Sequence, residues 1–168
     1  MPLGLNRGQA EYIVVPPQAI AAAPAGVDPV QAATIPLNGL TAAQSVELLG
    51  IQAGQTVLIT GAEGAVGGYA VRLAKRRGAV VIASDVSPEG EFATKVAGAD
   101  VYVPASQAPA EAVRTVRPEG VDAIRDTAML GQAVIGAVAD GGRFVTAPSG
   151  YSRCPPLLRV ETSSRCSS

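Results

Sequence analysis

The chain has 168 residues, the size of one domain, with 48% hydrophobic and 16% charged residues and a formal net charge of −1. That composition supports a packed core, excludes global disorder and offers no general electrostatic attraction to nucleic acid or anionic lipid. There is no histidine, which removes the usual proton shuttle and the commonest metal ligand together.

The first residues, Met1 to Arg7, carry no basic segment followed by a continuous apolar one, and Ile13-Val14-Val15 is cut by Pro16-Pro17. No apolar stretch approaches the ~20 residues that a membrane span needs. A cytoplasmic protein without a signal peptide is therefore the expectation. Tyr12 to Val15 reads as a strand, followed by a Pro/Ala-rich connector and apolar helices around Pro29 to Ala33 and Thr41 to Leu49.

From Thr56 onward, short β-branched runs alternate with longer amphipathic ones. Thr56 to Thr60 reads as a buried strand, apolar through its middle as parallel strands covered on both faces tend to be. Ala65 to Arg77 then reads as a helix, with Val66, Ala70, Leu73 and Ala74 at spacings of three and four. Lys75-Arg76-Arg77 form its last turn, where the helix dipole is negative, and Gly78 is its stop. These three cations read as a solvated helix end rather than a phosphate site. The pattern repeats as strand Val80 to Ser84, helix Glu89 to Ala97, strand Asp100 to Val103, helix Ala108 to Val116, strand Val121 to Asp126, helix Leu130 to Ala139 and strand Arg143 to Ala147. Strands alternating with helices of this length predict an α/β fold, a doubly wound parallel sheet of about five strands with right-handed crossovers. After Gly150 the sequence turns to Ser, Arg, Cys and Pro without an apolar period, and 151–168 is predicted to be a disordered tail. Cys154 and Cys166 fall in it. Two thiols are favoured there over a disulfide, and no metal-ligand spacing accompanies them.

One loop carries chemistry. Between the first full strand and its helix lies Gly61-Ala62-Glu63-Gly64-Ala65-Val66-Gly67. Ala62-x-Gly64-x-x-Gly67 fits the phosphate loop of a Rossmann-type dinucleotide-binding unit. There glycines let the backbone approach the pyrophosphate and let the helix pack on the strand. Ala62 stands where the first glycine is more usual. The context strengthens the match: a strand before, a helix after, and Asp85 about twenty positions on, where a carboxylate can accept both ribose hydroxyls and repel a 2′-phosphate. The bland alternatives are a tight turn that binds nothing and, for Asp85, a helix cap or a solvated loop residue. Asp126 and Thr127, at the carboxyl end of the fourth strand, lie on the ligand side of such sheets, although turn chemistry also explains them. The NTPase phosphate loop is set aside because no Gly-Lys-Ser/Thr occurs. Thr60-Gly61 fits the start of a short-chain dehydrogenase, but none of Tyr12, Tyr69, Tyr102 or Tyr151 has a Lys four residues later.

The stretches Ala32-Ala33-Thr34-Ile35-Pro36-Leu37-Asn38-Gly39-Leu40-Thr41-Ala42 and Gly54-Gln55-Thr56-Val57-Leu58-Ile59-Thr60-Gly61-Ala62, with Gly141-Gly142-Arg143-Phe144, resemble the medium-chain dehydrogenase/reductases. They are most similar to the zinc-free quinone oxidoreductase (zeta-crystallin-like) branch, and the resemblance runs from about Gly8 to Gly150. It implies a GroES-like substrate domain joined to a cofactor domain, and hydride transfer from NAD(H) or NADP(H) to quinones or activated alkenes, without a metal. It implies that Gly64, Ala65, Val66 and Gly67 contact the pyrophosphate over Ala62, that Thr41 lies near the nicotinamide, and that Thr127 and Ala147 line the cofactor channel. No catalytic residue is assigned. The branch commonly prefers NADPH and carries small or basic residues after the second strand. Here Asp85 holds that place and no Lys or Arg follows until Lys95, which favours NAD(H). Arg125 stands inside a strand where an apolar residue is expected, and Met129 replaces a common turn glycine.

Residues 1–30 read as a remnant of the GroES-like domain, 31–150 as the cofactor domain and 151–168 as the tail. Most of the substrate domain and the sixth strand are expected to be missing, as in a truncated product that binds dinucleotide with little turnover. The alternative is a non-catalytic nucleotide-binding or interaction module. In it the fifth strand would be a sheet edge open to a partner chain or a second copy.

Overall fold

The computed structural model describes residues 11–87, 90, 92–146 and 157–159, with the backbone alone for Thr94, Lys95 and 157–159. The chain divides into two compact units, Met1–Thr34 and Ile35–Ser168. In the first, the strand expected at Tyr12–Val15 is absent: the segment has no regular structure, and Tyr12 and Val14 are exposed. Pro16 and Pro17 follow it without N–H groups and lead into a 3₁₀ turn at Pro17–Ala19, which ends any ladder. Helix α1, Pro29–Ala33, forms as expected. Asp28 caps it by accepting a hydrogen bond from the Val30 amide at 2.8 Å, with Pro29 at the first helical position.

The second unit is built on a six-stranded sheet in the order β3-β2-β1-β4-β5-β6. Its strands are β1 (Thr56–Thr60), β2 (Val80–Asp85), β3 (Val101–Pro104), β4 (Val121–Asp126), β5 (Val138–Thr146) and β6 (Leu157–Arg159). The first five pair in parallel, and β6 runs antiparallel to β5. Alternation along the strands shows why both faces are covered. Val57, Ile59, Val81, Ala83, Ala123 and Val145 pack against helices α2 (Ile35–Leu49) and α3 (Ala65–Arg76). Leu58, Ile82, Ile124 and Phe144 pack on the other face against α4 (Pro109–Val116) and α5 (Gln132–Ile135). Burying each Val, Leu, Ile or Phe among them contributes about 1.5–3 kcal/mol. The α/β doubly wound sheet expected from the strand-helix rhythm is the observed fold.

Helix α2 starts earlier than its apolar period alone suggests, because Pro36 sits in its first turn, where no amide partner is needed. Its inner face is Ala42, Ser45, Val46 and Leu49, a spacing of three, four and seven. The basic end of α3, expected as a solvated helix end, is instead tied down at two of its three cations. Lys75 pairs with Asp100 at 2.7 Å, while Arg77 pairs with Glu47 and donates to the Val46 carbonyl. Burial opposes ionisation of Asp100, but its bonds from Lys75 and the Val81 amide outweigh that and hold its carboxyl below the ordinary value.

Three expectations are corrected. Of the helix expected over Glu89–Ala97, the described residues Phe92–Val96 form a single π turn, closed by the Ala97 amide donating to the Phe92 carbonyl. The helix expected over Leu130–Ala139 shrinks to the four residues of α5, because Val138 pairs with Val121 and starts β5 early. An apolar run such as Val134 to Val138 fits either element, and here tertiary pairing decides. Between Val121 and Ala123 of β4 the partner moves from Val138 to Arg143, so the glycine pair Gly141-Gly142 lies in a bulge of β5. Of the tail expected at 151–168, the described residues 157–159 form β6. A sixth strand is therefore present, and β5 is not the edge: its Arg143–Val145 segment is paired on both sides. No helix among the described residues is long and apolar enough to cross a membrane.

Candidate functional site

From β1 the chain steps outward through β2 to β3 and then crosses back to β4 on the other side of β1, so the carboxyl ends of β1 and β4 flank the switch point where such sheets open a crevice. A cleft of about 570 Å³ lies there, lined by Gly61, Glu63, Gly64, Ala65, Val66, Gly67, Asp85, Thr127 and Ala128. The loop after β1 is shaped by close approach. Gly61 has φ +59°, and a side-chain carbon there would sit 2.5 Å from Thr127 Oγ1. At Gly67 it would fall inside the Gly61 carbonyl oxygen and 2.8 Å from the Ala62 Cα. Gly61, directly before Ala62, thus makes the tight turn that the motif usually assigns to its first glycine. Ala62 is fully buried beneath the loop, donates to the Ser84 carbonyl, and does not face the cleft.

Helix α3 begins at the cleft with Gly64 as its cap, and its first intrahelical bond runs from the Gly68 amide to the Gly64 carbonyl at 2.8 Å. The amides of Ala65, Val66 and Gly67 precede that bond. They give the positive end of the helix three donors beside the cleft, suited to an anion.

Asp85, the last residue of β2, closes one end. Its Oδ2 accepts from the Glu63 amide at 2.8 Å and its Oδ1 from the Val86 amide at 2.7 Å. Each oxygen retains a further lone-pair site for a hydroxyl. Behind it, the Tyr102 hydroxyl lies against the Asp85 and Ser87 carbonyls. Burial raises the Tyr102 phenol above its ordinary value, and the charges of Glu63 and Asp85 add to the rise.

The other end is a buried polar network. Asp126, fully buried at the end of β4, accepts from Thr60 Oγ1 at 2.6 Å and from the Gly131 amide at 2.9 Å. Thr127 donates from Oγ1 to the Thr60 carbonyl, and the Ala128 amide donates to Thr60 Oγ1 at 3.1 Å. Arg125 is 1% exposed, as its place in the strand implied. One of its NH groups donates to the Asp126 and Val145 carbonyls at 3.2 and 3.4 Å, its Nε has no partner, and burial lowers its pKa while Asp126 opposes that.

Of the residues expected at the site, Gly64, Ala65, Val66, Gly67, Asp85 and Thr127 are brought together in one cleft. Thr41 does not line it: its hydroxyl donates to the Leu37 carbonyl at 2.6 Å, within α2. Ala147 lies outside the described residues. Gly61, Glu63 and Ala128 were not singled out as site residues. A positive φ at Gly61 was the one feature sequence could have signalled, whereas Glu63 and Ala128 enter through folding alone.

The family model described as "Zinc-binding dehydrogenase" matches residues 65–153, more than half of the chain. The chain belongs to this family. That places it among the medium-chain dehydrogenase/reductases, as its sequence pattern suggested. It is 37% identical over 129 residues to an NAD-dependent alcohol dehydrogenase of Saccharolobus solfataricus, a match covering 74% of this chain and 37% of that protein. A solved NAD-dependent alcohol dehydrogenase is 36% identical, with a TM-score of 0.74 over 82% of this chain and 41% of the other. The quinone oxidoreductase of Thermus thermophilus, solved also in complex with NADPH, is 31% identical, with a TM-score of 0.70 over 82% of this chain and 46% of the other. The chain thus spans less than half the length of each of these relatives.

The family description names zinc. Among the described residues no three of His, Cys, Asp and Glu come together, and the two cysteines lie outside those residues. The described residues therefore offer no ligand set for that metal. They do fit a dinucleotide: Gly61 and Gly67 keep the loop clear of side chains, α3 presents its amides, and Asp85 faces the same cleft.

Proposed function

We propose that this chain supplies the NAD(H)-binding half of a zinc-independent oxidoreductase that reduces quinones or activated alkenes and carbonyls. The observation that supports it is the single cleft combining a side-chain-free loop, the start of α3 and the Asp85 carboxylate. A bound nicotinamide supplies the hydride. The chain's own residues bind and orient it. The amides of Ala65, Val66 and Gly67 would hold the pyrophosphate, and Asp85 would accept the adenosine ribose hydroxyls. Thr127 and Ala128, fixed by the Asp126 network, would bound the path toward the nicotinamide. Because Asp85 adds negative charge where a 2′-phosphate would lie, NADH is the expected ligand over NADPH.

The quinone-reductase type is supported by the pattern around Ala32–Ala42 and Gly54–Ala62 and by the likeness to the Thermus thermophilus enzyme. Titration of the purified chain with NADH and NADPH, followed by ligand fluorescence, tests the binding. NADH saturating at micromolar concentration with NADPH weaker is the expected result, and binding of neither cofactor overturns the reading. Quinone reduction is assayed alongside, with turnover by this chain alone expected to be at or below detection.

A further inference from the structure

Two carboxylates line the cleft, Glu63 and Asp85, and no Lys or Arg does among the described residues. Glu63 stands in the middle of the phosphate loop, yet its side chain does not drift into solvent. Its Oε1 accepts from the backbone amides of Phe92 and Ala93 at 3.2 and 3.4 Å, the opening residues of the π turn after β2. Its own amide meanwhile donates to Asp85 Oδ2. The two acids are thereby tied into one bracket: Asp85 to the Glu63 backbone, and the Glu63 side chain onward to the segment that follows β2. That bracket spans the end of the cleft beside β2, where Asp85 stands.

We infer that Glu63 is a second cofactor-discriminating residue, a tethered carboxylate that excludes a 2′-phosphate together with Asp85. The inference rests on the dinucleotide reading above and deepens it. The tether matters physically. A mobile surface glutamate would swing away from an incoming phosphate. One held by two amides must remain and repel. Two fixed negative charges also make the selectivity redundant, so removing Asp85 alone leaves NADPH the weaker ligand.

The test compares NADH and NADPH binding, with 2′-phospho-AMP and AMP as smaller probes, on wild type, Glu63→Gln, Asp85→Ser and the double variant. Glu63→Gln removes the charge while Oε1 remains an acceptor for Phe92 and Ala93, so its melting temperature should match wild type. Its NADPH-to-NADH affinity ratio should rise by about fivefold at low ionic strength, an effect that shrinks at high salt. The double variant alone should prefer NADPH. Glu47→Gln, on α2 and outside the cleft, serves as the charge control and should leave the ratio unchanged. An unchanged ratio in Glu63→Gln with NADH still bound overturns the role of Glu63 and leaves dinucleotide binding standing. Failure of wild type to bind any of the four ligands overturns both. If Glu63→Gln fails to fold, Asp85→Ser decides the matter. NADPH remaining weaker, with a salt-dependent gap, supports the inference, and NADPH binding tighter than NADH overturns it.

Discussion

On one side of the cleft, the path of the loop between β1 and α3 depends first on side chains that are missing; on the other, the segment between β4 and α5 is held by side chains that are present. Gly67 lets two stretches of backbone touch where no Cβ fits, and Gly61 leaves the room that Thr127 Oγ1 fills. Asp126, Thr60 and Thr127 instead use hydroxyl and carboxylate groups to fix Ala128 and Gly131. Close approach of backbone tolerates no substitution at the contact, whereas a hydrogen-bonded network fails gradually as members are removed. The two sides should therefore respond differently to comparable changes.

The largest effect is expected at Gly67. Gly67→Ala forces a carbon into the Gly61 carbonyl and the Ala62 backbone, neither of which can step aside without unpacking α3 from β1. It should cost about 3 kcal/mol or more, read as a drop in melting temperature of about 10 °C, and abolish NADH binding. Gly64→Ala is its control. A carbon there would lie 3.2 Å from the same oxygen, at a φ of −74° that any residue adopts, so a cost below about 1 kcal/mol is expected. Equal costs at the two positions would show that close approach does not hold this loop.

Asp126→Ala is expected to cost about 2–3 kcal/mol, because it strips a buried carboxylate from Thr60 Oγ1 and the Gly131 amide at once. Thr60→Val, which removes the donor to Asp126 and the acceptor of the Ala128 amide but leaves the Gly131 bond, should cost about as much. Chemical denaturation of both variants checks the ratio. A loss under about 0.5 kcal/mol for Asp126→Ala would mean that the segment after β4 is held by its backbone, like its counterpart across the cleft.

The same contrast explains what sequence could reveal. The β1–α3 side was legible almost to the residue: strand Thr56–Thr60, helix from Ala65, and the glycines that line the cleft. Its constraints are local and appear as residue types that no other conformation would require. The β4–β5 side was read less well. Strand Val121–Asp126 was legible from its β-branched run, but Val138 joins β5 only because Val121 lies beside it. The Thr60–Asp126 bond closes over 66 residues, and no local pattern announces such a partner. Thr41 shows the reach of resemblance rather than of local pattern. It was placed by resemblance, yet its hydroxyl is satisfied within its own helix. The strand expected at Tyr12–Val15 had the right residues and lacked a ladder to join.

Met129 gives the smallest effect and the sharpest probe of the β4 side. It is the one non-glycine residue with positive φ, +57°, among the described residues, and it is 62% exposed. The left-handed conformation costs an L-residue about 1 kcal/mol, and little packing is at stake for so exposed a side chain. Met129→Gly should therefore stabilise the fold. The greater freedom of glycine in the unfolded chain takes back part of the gain, leaving a net of about 0.5 kcal/mol. Met129→Ala, which keeps the Cβ and therefore the strain, should leave stability within about 0.3 kcal/mol of wild type. Urea denaturation of the three proteins reads this as a higher midpoint for the glycine variant at an unchanged slope. A lower midpoint for Met129→Gly would mean that the methionine side chain itself anchors the turn, and that this side of the cleft is built from side chains even where its backbone is strained.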